Sequence, residues 1–341
     1  MTSGDGKRKP TQGSLFGSPS DEQRETPQAL PAVVESALRT LGERMPAGLR
    51  LGTSSWTFVG WNGIVYAEGT KQNRLARGGL RAYAQHPLLR AVGVDRTFYA
   101  PIAQSEFEDY AASVPSSFRF LVKAWSDVTT PRVRGPQGRP GAQNPRWLDV
   151  DTTIDRVLTP AVLGLGDKLG PLLFQFPPQG KAVVSDPQRF AARLHAFFSA
   201  LPKGPCYAVE LRDAPLFSAD YIAALTDCGA RHCCSVHPTM PGVLQQFETA
   251  KPSGETVVRW MLQPSLDYDE AKDRYAPFAE LVDPDLVRRA EVAELCARAL
   301  AQGLPVTVVA NNKAEGCAPK TLFALAAAIR ERLDAAGVRP A

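Results

Sequence analysis

The stretch that decides the fold is "PVTVVANNKAEGCAP", which runs from Pro305 to Pro319. Its first six residues are mostly apolar and β-branched, a pattern typical of a strand buried on both faces. The chain then turns polar at Asn311, Asn312 and Lys313 before "KTLFALAAAIRERL" resumes as a helix. A buried strand with polar residues directly after it is what a parallel α/β sheet predicts, because the carboxyl ends of such strands carry the functional groups.

Seven further runs of the same kind precede this strand, and most are separated from the next by a stretch with helical periodicity. The eight runs are "LRLGTSS", "AVGVDRTFY", "FRFLVKA", "LGPLLFQF", "CYAVELR", "RHCCSVH", "TVVRWML" and "PVTVVAN". Eight strands that alternate with helices predict a parallel sheet closed into a (β/α)8 TIM-like barrel. A doubly wound open sheet is the alternative.

The barrel is expected to be a single domain spanning residues 29–336, with an amphipathic helix in "ALPAVVESALRTLGERM" at its beginning. Residues 1–28 are rich in Gly, Ser, Pro and charge, so they are expected to be a disordered tail. Residues 131–147, with four arginines and several Gly and Pro, are expected to form an insertion loop near the barrel mouth. The loop is interpreted as a cationic contact for nucleic acid, a lid over a small pocket or a solvated loop.

The tail contains the peptide "QGSLF", in which Gln12, Leu15 and Phe16 match the Q-x-x-L-F pattern of peptides that dock onto the bacterial sliding clamp. An adjacent leucine and aromatic in a disordered segment are typical anchors for a binding pocket. We therefore expect residues 12–16 to be a candidate clamp-binding peptide.

The composition and net charge of the chain limit the kinds of partner and the cellular compartment that we expect. The net charge of +4 permits an anionic partner but falls short of a dedicated nucleic-acid-binding domain. The six cysteines form no C-x-x-C pair, which favours buried thiols in a reducing compartment over a zinc site or a disulfide framework. The chain contains no apolar stretch of ~18 residues and no signal-peptide core, so we expect a cytoplasmic protein that does not contact membranes.

Polar and aromatic residues follow the predicted strands and would gather at the barrel mouth. The period of two places Glu210 and Arg212 on one face of a strand. A buried Glu or Arg must be paired, so these two are expected to pair with each other, with Lys123 or with Arg259. Such a network alternatively serves only to close the top of the barrel. The candidate ligand-binding residues are Trp56, Trp61, Thr97, Tyr99, Gln175, Arg259, Asn311, Asn312 and Lys313.

Six blocks of this sequence resemble the YecE-like family, also called domain of unknown function 72. They are "GTSSWTFVGWNGIVY", "VGVDRTFYAP", "FRFLVKAWSDVTT", "LGPLLFQFPP", "YAVELRD" and "NNKAEGCAPKTLFALA". The resemblance runs from about Leu51 to about Ile329, which is most of the expected folded chain. The resemblance implies a TIM-barrel-like fold, distantly similar to the barrels of endonuclease IV and xylose isomerase, and no agreed activity. This chain departs from the family at Val94 or Asp95 and Arg96, where the family often has Glu and Asn, and at Thr130 and Pro131, where a His often follows the Thr.

No cofactor is predicted. A multinuclear metal centre needs several His, Asp and Glu ligands at strand ends. The chain has four histidines, of which His237 alone falls at a predicted strand end. A single divalent cation held by Glu210 is an alternative with no second ligand to support it.

The candidate catalytic residues are Lys123, Glu210, Arg212 and His237. Nearby cations would keep Glu210 ionised as a base or a positioning group, a desolvated Lys123 would serve as an acid or a Schiff-base nucleophile, and His237 would move protons.

Three functions stay open at this point. The favoured one is binding or processing of a phosphate-containing nucleic acid or nucleotide. The others are a metal-independent isomerase or lyase of a phosphorylated or carboxylated small metabolite, and a non-catalytic ligand-binding protein. In all three the ligand is an anion.

Overall fold

The fold is known from a computed structural model, which describes residues 28–134 and 140–338. The eight predicted strands are all present, run parallel and close into a barrel in the order β1-β10-β9-β8-β7-β6-β3-β2. In chain order the strands are β1 Leu49–Thr53, β2 Leu89–Val94, β3 Arg119–Lys123, β4 Arg132–Arg134, β5 Pro140–Gln143, β6 Leu169–Gln175, β7 Tyr207–Glu210, β8 Arg231–Val236, β9 Thr256–Trp260 and β10 Val306–Ala310. The prediction of a closed (β/α)8 barrel is confirmed, and the open sheet is excluded.

Helices fill the connections between the barrel strands. They are α1 Ser36–Glu43, α2 Gln72–Tyr83, α3 Gln104–Ala112, α4 Ser126–Thr129, α5 Val150–Thr153, α6 Thr159–Leu165, α7 Lys181–Val184, α8 Pro187–Ala200, α9 Ala219–Cys228, α10 Val243–Ala250, α11 Tyr268–Tyr275, α12 Leu286–Ala301 and α13 Ala318–Ala335. Between α5 and α6 the chain continues as a π-helical turn over residues 154–158.

The expected amphipathic helix at the start of the domain is shorter than its sequence pattern, because α1 begins only at Ser36. The preceding residues run extended along the segment before α2. The backbone N–H of Ala32 donates to the carbonyl of Val65 at 3.0 Å, and the N–H of Ala67 donates to the carbonyl of Leu30 at 2.9 Å. These backbone pairs satisfy polar groups that a helix would have satisfied internally. The expected tail, residues 1–28, lies outside the described residues except for Gln28.

Apolar side chains fill the lower interior of the barrel. Six fully buried residues, one from each of six strands, form a cluster of their own: Leu121, Leu173, Ala208, Cys233, Val257 and Val309. Neighbouring positions such as Val122 and Val258 belong to the larger cluster between the strands and the helices. The strands are therefore buried on both faces, as parallel barrel strands are.

The interior of the barrel becomes polar at the next inward-facing position of these six strands. Because side chains alternate between the two faces of a strand, the next inward position lies two residues on. In the same six strands these positions are Lys123, Gln175, Glu210, Ser235, Arg259 and Asn311. All six are polar, so a polar layer lies on the apolar core at the end of the barrel where the strands terminate.

A two-stranded antiparallel hairpin, β4 with β5, projects from the connection that follows β3. It occupies the middle of the expected 131–147 insertion, of which residues 135–139 lie outside the described residues. Asn144 anchors its base, since Asn144 Nδ2 donates to the carbonyls of Asp127 at 2.7 Å and Thr130 at 2.8 Å. The hairpin therefore starts and returns beside the end of β3.

In the part of the chain that the structure describes, none of the helices combines the length and apolar character needed to cross a membrane. All six cysteines lie within that part and are free thiols.

Candidate functional site

A network of charged side chains occupies the polar layer, and we call it the mouth cluster: Asp95, Lys123, Gln175, Glu210, Arg212 and Arg259. Glu210 lies at its centre and is fully buried. Its Oε2 accepts a hydrogen bond from Arg259 Nη1 at 2.5 Å, and its Oε1 forms an ion pair with Arg212 Nη2. The carboxylate is therefore shared between two guanidinium groups, one from its own strand end and one from β9.

Arg259 extends the network to the opposite side of the barrel. Its Nη2 donates to both carboxylate oxygens of Asp95, at 2.9 and 3.1 Å, and its Nη1 also donates to Gln175 Oε1 at 3.2 Å. Asp95 was absent from the candidate site residues. Its signal in the sequence is its position directly after the apolar part of the predicted strand run "AVGVDRTFY".

Lys123 is the third cation of the mouth cluster, and it is held differently. Its side chain is 7% exposed, and its Nζ lies 3.9 Å from the centroid of the Phe98 ring. Among the described residues no carboxylate oxygen lies within 4.0 Å of that nitrogen. Thr97 braces the end of β3, because its hydroxyl donates to the carbonyl of Lys123 at 2.5 Å.

The surroundings shift the pKa of Glu210 and the pKa of Lys123. Burial opposes the ionisation of Glu210, but Arg212, Arg259 and Lys123 together outweigh it and hold the pKa of the carboxyl at about 2. Burial lowers the pKa of Lys123 to about 8, with Asp95 and Glu210 acting to raise it and the two guanidiniums acting to lower it. At neutral pH Glu210 is therefore an anion with no proton to give, while Lys123 is a cation close to its titration range.

The two guanidiniums differ in how well they are satisfied. For Arg259 burial lowers the pKa, but Asp95 and Glu210 raise it further, and the net shift is upward. For Arg212 burial prevails over Glu210, and the net shift is downward. Arg212 Nη1 is also buried without a hydrogen-bond partner among the described residues. Arg259 Nε is buried in the same way, but among the described residues Arg259 contacts two carboxylates whereas Arg212 contacts that of Glu210 alone.

His237 lies just beyond the end of β8. Its Nδ1 accepts a hydrogen bond from the backbone N–H of Thr239 at 3.3 Å and lies 2.9 Å from Thr239 Oγ1. Burial, with Arg212, lowers the pKa of His237 to about 4, so the ring is neutral near pH 7. Because Nδ1 accepts from a backbone amide, the proton of the neutral ring resides on Nε2. His237 thus offers an N–H donor rather than a cation.

The aromatic candidates lie apart from the mouth cluster. Trp61 is fully buried and donates through Nε1 to Asn312 Oδ1 at 3.3 Å, while Trp56 packs edge-on against Tyr110 with ring centroids 5.1 Å apart. Their faces are covered by the protein and are not available for stacking on a ligand. Tyr99, in contrast, is 72% exposed beyond the end of β2.

The polar residues that follow β10 build the turn into α13. Asn311 Oδ1 accepts from the N–H of Lys313 at 3.0 Å, and its Nδ2 donates to Ser54 Oγ at 2.9 Å. Asn312 Oδ1 accepts from the N–H of Ala318, in the first turn of α13, at 2.8 Å. Lys313 Nζ lies 4.0 Å from the ring centroid of Tyr268. Each of these three candidate ligand-binding residues is thus engaged by the protein itself.

Comparison with known proteins shows the family. The family described as "Protein of unknown function DUF72" matches residues 50–341. The chain belongs to the DUF72 family. A DUF72 protein from Enterococcus faecalis is similar in structure, with a TM-score of 0.57, 18% identity and coverage of 82% of this chain and 95% of that one. A DUF72 protein from Thermotoga maritima has a TM-score of 0.54, 19% identity and coverage of 84% and 99%. Both likenesses concern the fold, and no curated protein matches the sequence.

The donor set of this DUF72 barrel does not favour a metal ion. Across residues 28–134 and 140–338, no three His, Cys, Asp or Glu side chains are grouped so that they could hold one. A divalent cation at Glu210 would have to displace one of the guanidiniums that contact its two oxygens. The carboxylate is therefore better suited to orienting Arg212 and Arg259 than to binding a cation.

Proposed function

We propose that this DUF72 protein binds a small anionic ligand, bearing a phosphate or a carboxylate, at the carboxyl-end mouth of its barrel. The observation that carries the proposal is that Arg212 Nη1 is buried and has no acceptor among the described residues. A guanidinium N–H in such a place costs free energy unless an anion supplies the missing acceptor.

The charge of the mouth cluster supports the same proposal. It contains three cationic side chains, Lys123, Arg212 and Arg259, and two carboxylates, Asp95 and Glu210. One positive charge is therefore unbalanced within the cluster when Lys123 is protonated. A buried excess charge is stabilised by an opposite charge from outside, and a ligand with one anionic group would supply it.

The geometry favours a nucleotide or a sugar phosphate over a nucleic-acid strand. A strand would need several aromatic faces for its bases, but of the three aromatic candidates Trp56 and Trp61 are buried and Tyr99 alone is exposed. One of the four arginines of the 131–147 insertion, Arg146, is paired with Asp127 at 3.0 Å, so its charge is partly balanced within the protein. A phosphate on a small molecule needs only the guanidinium and N–H donors of the mouth.

Calorimetric titration with inorganic phosphate, with a nucleoside monophosphate and with single-stranded DNA tests the proposal. We expect Arg212→Gln to weaken binding of the small phosphates at least about tenfold, since a hydrogen bond to a charged group contributes about 1.5–3 kcal/mol. The matched control is Arg330→Gln, which changes a buried arginine of α13 that hydrogen-bonds the carbonyls of Arg44 and Val338 and forms an ion pair with Asp334. Equal affinities of the two folded variants would contradict the proposal. Binding of the DNA alone, weakening steeply with salt, would favour the nucleic-acid function.

A second candidate, a metal-independent isomerase or lyase of a small phosphorylated or carboxylated metabolite, is favoured by Lys123. Glu210 is too weak a base for such chemistry because its pKa is held at about 2. The amine of Lys123, with a pKa near 8 and no carboxylate partner, is the member of the mouth cluster suited to a reaction. A titration that shows binding without turnover of any metabolite would instead favour the non-catalytic function.

Docking onto the sliding clamp remains a proposal from the sequence, because residues 12–16 lie outside the described residues. The match of Gln12, Leu15 and Phe16 to the clamp-binding pattern supports it. The cytoplasmic location that it requires is likewise a prediction.

A further inference from the structure

We propose that Lys123 is an amine nucleophile that forms an imine with the carbonyl carbon of an aldehyde or ketone carrying a carboxylate or phosphate group. The inference rests on the proposed anion site, since Arg212 holds the charged group of the substrate while Lys123 attacks its carbonyl. It assigns to this barrel a substrate class, a small anionic carbonyl compound.

The position of Lys123 carries the first step of the argument. It is the last residue of β3 and stands inside the barrel, two residues beyond Leu121 of the interior cluster. The side chain is buried against the face of Phe98, and the Thr97 hydroxyl fixes its backbone carbonyl. The amine is thus held by the barrel wall, at the end where TIM-like barrels carry their reactive groups.

Two other lysines, Lys168 and Lys320, have hydrogen-bond or ion-pair partners for their Nζ atoms, which Lys123 lacks among the described residues. Lys168 Nζ donates to the carbonyls of Ala111 and Val114, at 2.6 and 2.7 Å. Lys320 Nζ forms an ion pair with Glu280 at 2.5 Å. Such partners occupy the N–H groups of these two side chains. Within the described residues Lys123 has only the ring of Phe98 as a direct partner, so its nitrogen is left for a ligand.

The charged groups that face Lys123 tune the amine without pairing with it. They are the guanidiniums of Arg212 and Arg259 and the carboxylates of Asp95 and Glu210. Burial, assisted by the guanidiniums, brings the pKa to about 8, so an appreciable fraction of the amine is neutral near neutral pH. The neutral amine is the nucleophile in imine formation, and desolvation beside other cations is a known way to produce it.

The reaction balances in atoms and charge. The nitrogen of Lys123 forms a bond to the carbonyl carbon as the carbon–oxygen π bond breaks, and the oxygen takes up protons and leaves as water. Overall, one ammonium and one carbonyl give one protonated imine and one water, with the charge of +1 unchanged. The carboxylates of Asp95 and Glu210, which face the ammonium, therefore serve the iminium equally well. The iminium then accepts electrons from a breaking bond at the neighbouring carbon.

Reductive trapping tests the inference. The full chain is incubated with pyruvate, as a carboxylate probe, or dihydroxyacetone phosphate, as a phosphate probe, together with cyanoborohydride. Peptide mass spectrometry then locates the label. We expect label on Lys123 at a rate at least about tenfold above that of exposed lysines, with competition by inorganic phosphate. Label confined to exposed lysines, with Lys123 unmodified by both probes, would overturn the inference.

Two variants test imine formation by Lys123 separately from binding of the anionic group. Lys123→Arg keeps the positive charge but cannot form an imine, so it should bind pyruvate by calorimetry and trap none at this position. The matched control is Lys168→Arg, which alters a lysine whose Nζ donates to the carbonyls of Ala111 and Val114 and should leave trapping at Lys123 intact. Calorimetric binding of pyruvate by the wild type without trapping refutes the inference and leaves the proposed function standing. Absence of both binding and trapping refutes both.

Discussion

Glu210 Oε2 and Arg259 Nη1 lie 2.5 Å apart inside the barrel, and both side chains are fully buried. Neither side chain is exposed to water, so Glu210 depends on the guanidiniums of Arg259 and Arg212, while Arg259 depends on the carboxylates of Glu210 and Asp95. These ion pairs connect distant strand ends of the barrel. The charges of the whole mouth cluster add up to one positive charge when Lys123 is protonated.

Removal of the Glu210 charge should destabilise the protein strongly. We expect Glu210→Gln to lower the free energy of unfolding by about 3–5 kcal/mol, because it leaves Arg212 and Arg259 buried beside an uncharged group. Urea denaturation measures the loss. The control is Glu280→Gln, which removes an exposed ion pair with Lys320 and should cost no more than about 1 kcal/mol. Similar losses in the two variants would argue against a buried charge network.

The same carboxylate should contribute to acid sensitivity. The pKa of Glu210 in the folded protein is about 2, below the ordinary value of about 4.3 in an unfolded chain. The stabilisation from its ionisation is therefore complete above the unfolded value and is lost as pH falls through the folded one. We expect the stability difference between wild type and Glu210→Gln to shrink by roughly 3 kcal/mol between pH 5 and pH 2. A difference that stays constant over this range would contradict the assignment.

We expect the charged form of Lys123 to lower the free energy of unfolding. Its folded pKa of about 8 lies below the ordinary value of about 10.4, so between these values the unfolded chain binds more protons than the folded one. Stability contributed by this group therefore rises with pH through that window. We expect Lys123→Met to be more stable than wild type at pH 7 by roughly 1–3 kcal/mol, with the gap narrowing towards pH 10. Denaturant titrations at the two pH values check this, and a less stable variant at pH 7 would refute it.

Substitution of Asn312 tests whether this residue stabilises the fold or binds the ligand. Its Oδ1 accepts hydrogen bonds from the N–H of Ala318 and from Trp61 Nε1. We expect Asn312→Ala to lower the free energy of unfolding by about 1–3 kcal/mol, because two buried donors lose their acceptor. Phosphate affinity, measured by calorimetry on the folded variant, should stay within twofold of wild type, roughly 0.4 kcal/mol. A large loss of affinity at unchanged stability would restore the ligand-binding role inferred from the sequence.

The clamp-binding peptide can be tested separately from the barrel. We expect the double substitution Leu15→Ala with Phe16→Ala to abolish capture of the protein by an immobilised bacterial sliding clamp, because both pocket anchors are removed. The thermal midpoint should not change, since residues 1–28 precede the folded domain predicted from the sequence. Full capture of the doubly substituted chain would eliminate this peptide as the docking element.

Much of the architecture follows from the order of residues alone. Eight apolar, β-branched runs alternating with helical stretches can be buried on both faces only in a parallel sheet, and eight strands close into a barrel. The period of two within each run also predicts which side chains share a face. Burial of that face is why Glu210 and Arg212 were expected to pair with each other or with Lys123 and Arg259.

Which residues meet at the mouth was decided by tertiary structure. A 3-10 turn over Asp95–Phe98 follows β2. This turn places Asp95 beside Arg259, although the two residues are 164 positions apart in the sequence. Trp61 looks in the sequence like a stacking platform, yet its ring is buried against Tyr66 and Tyr83. Periodicity along one strand determines the face of a side chain. Its partners depend on how distant strand ends and turns converge, because hydrogen bonds and burial are properties of the assembled barrel.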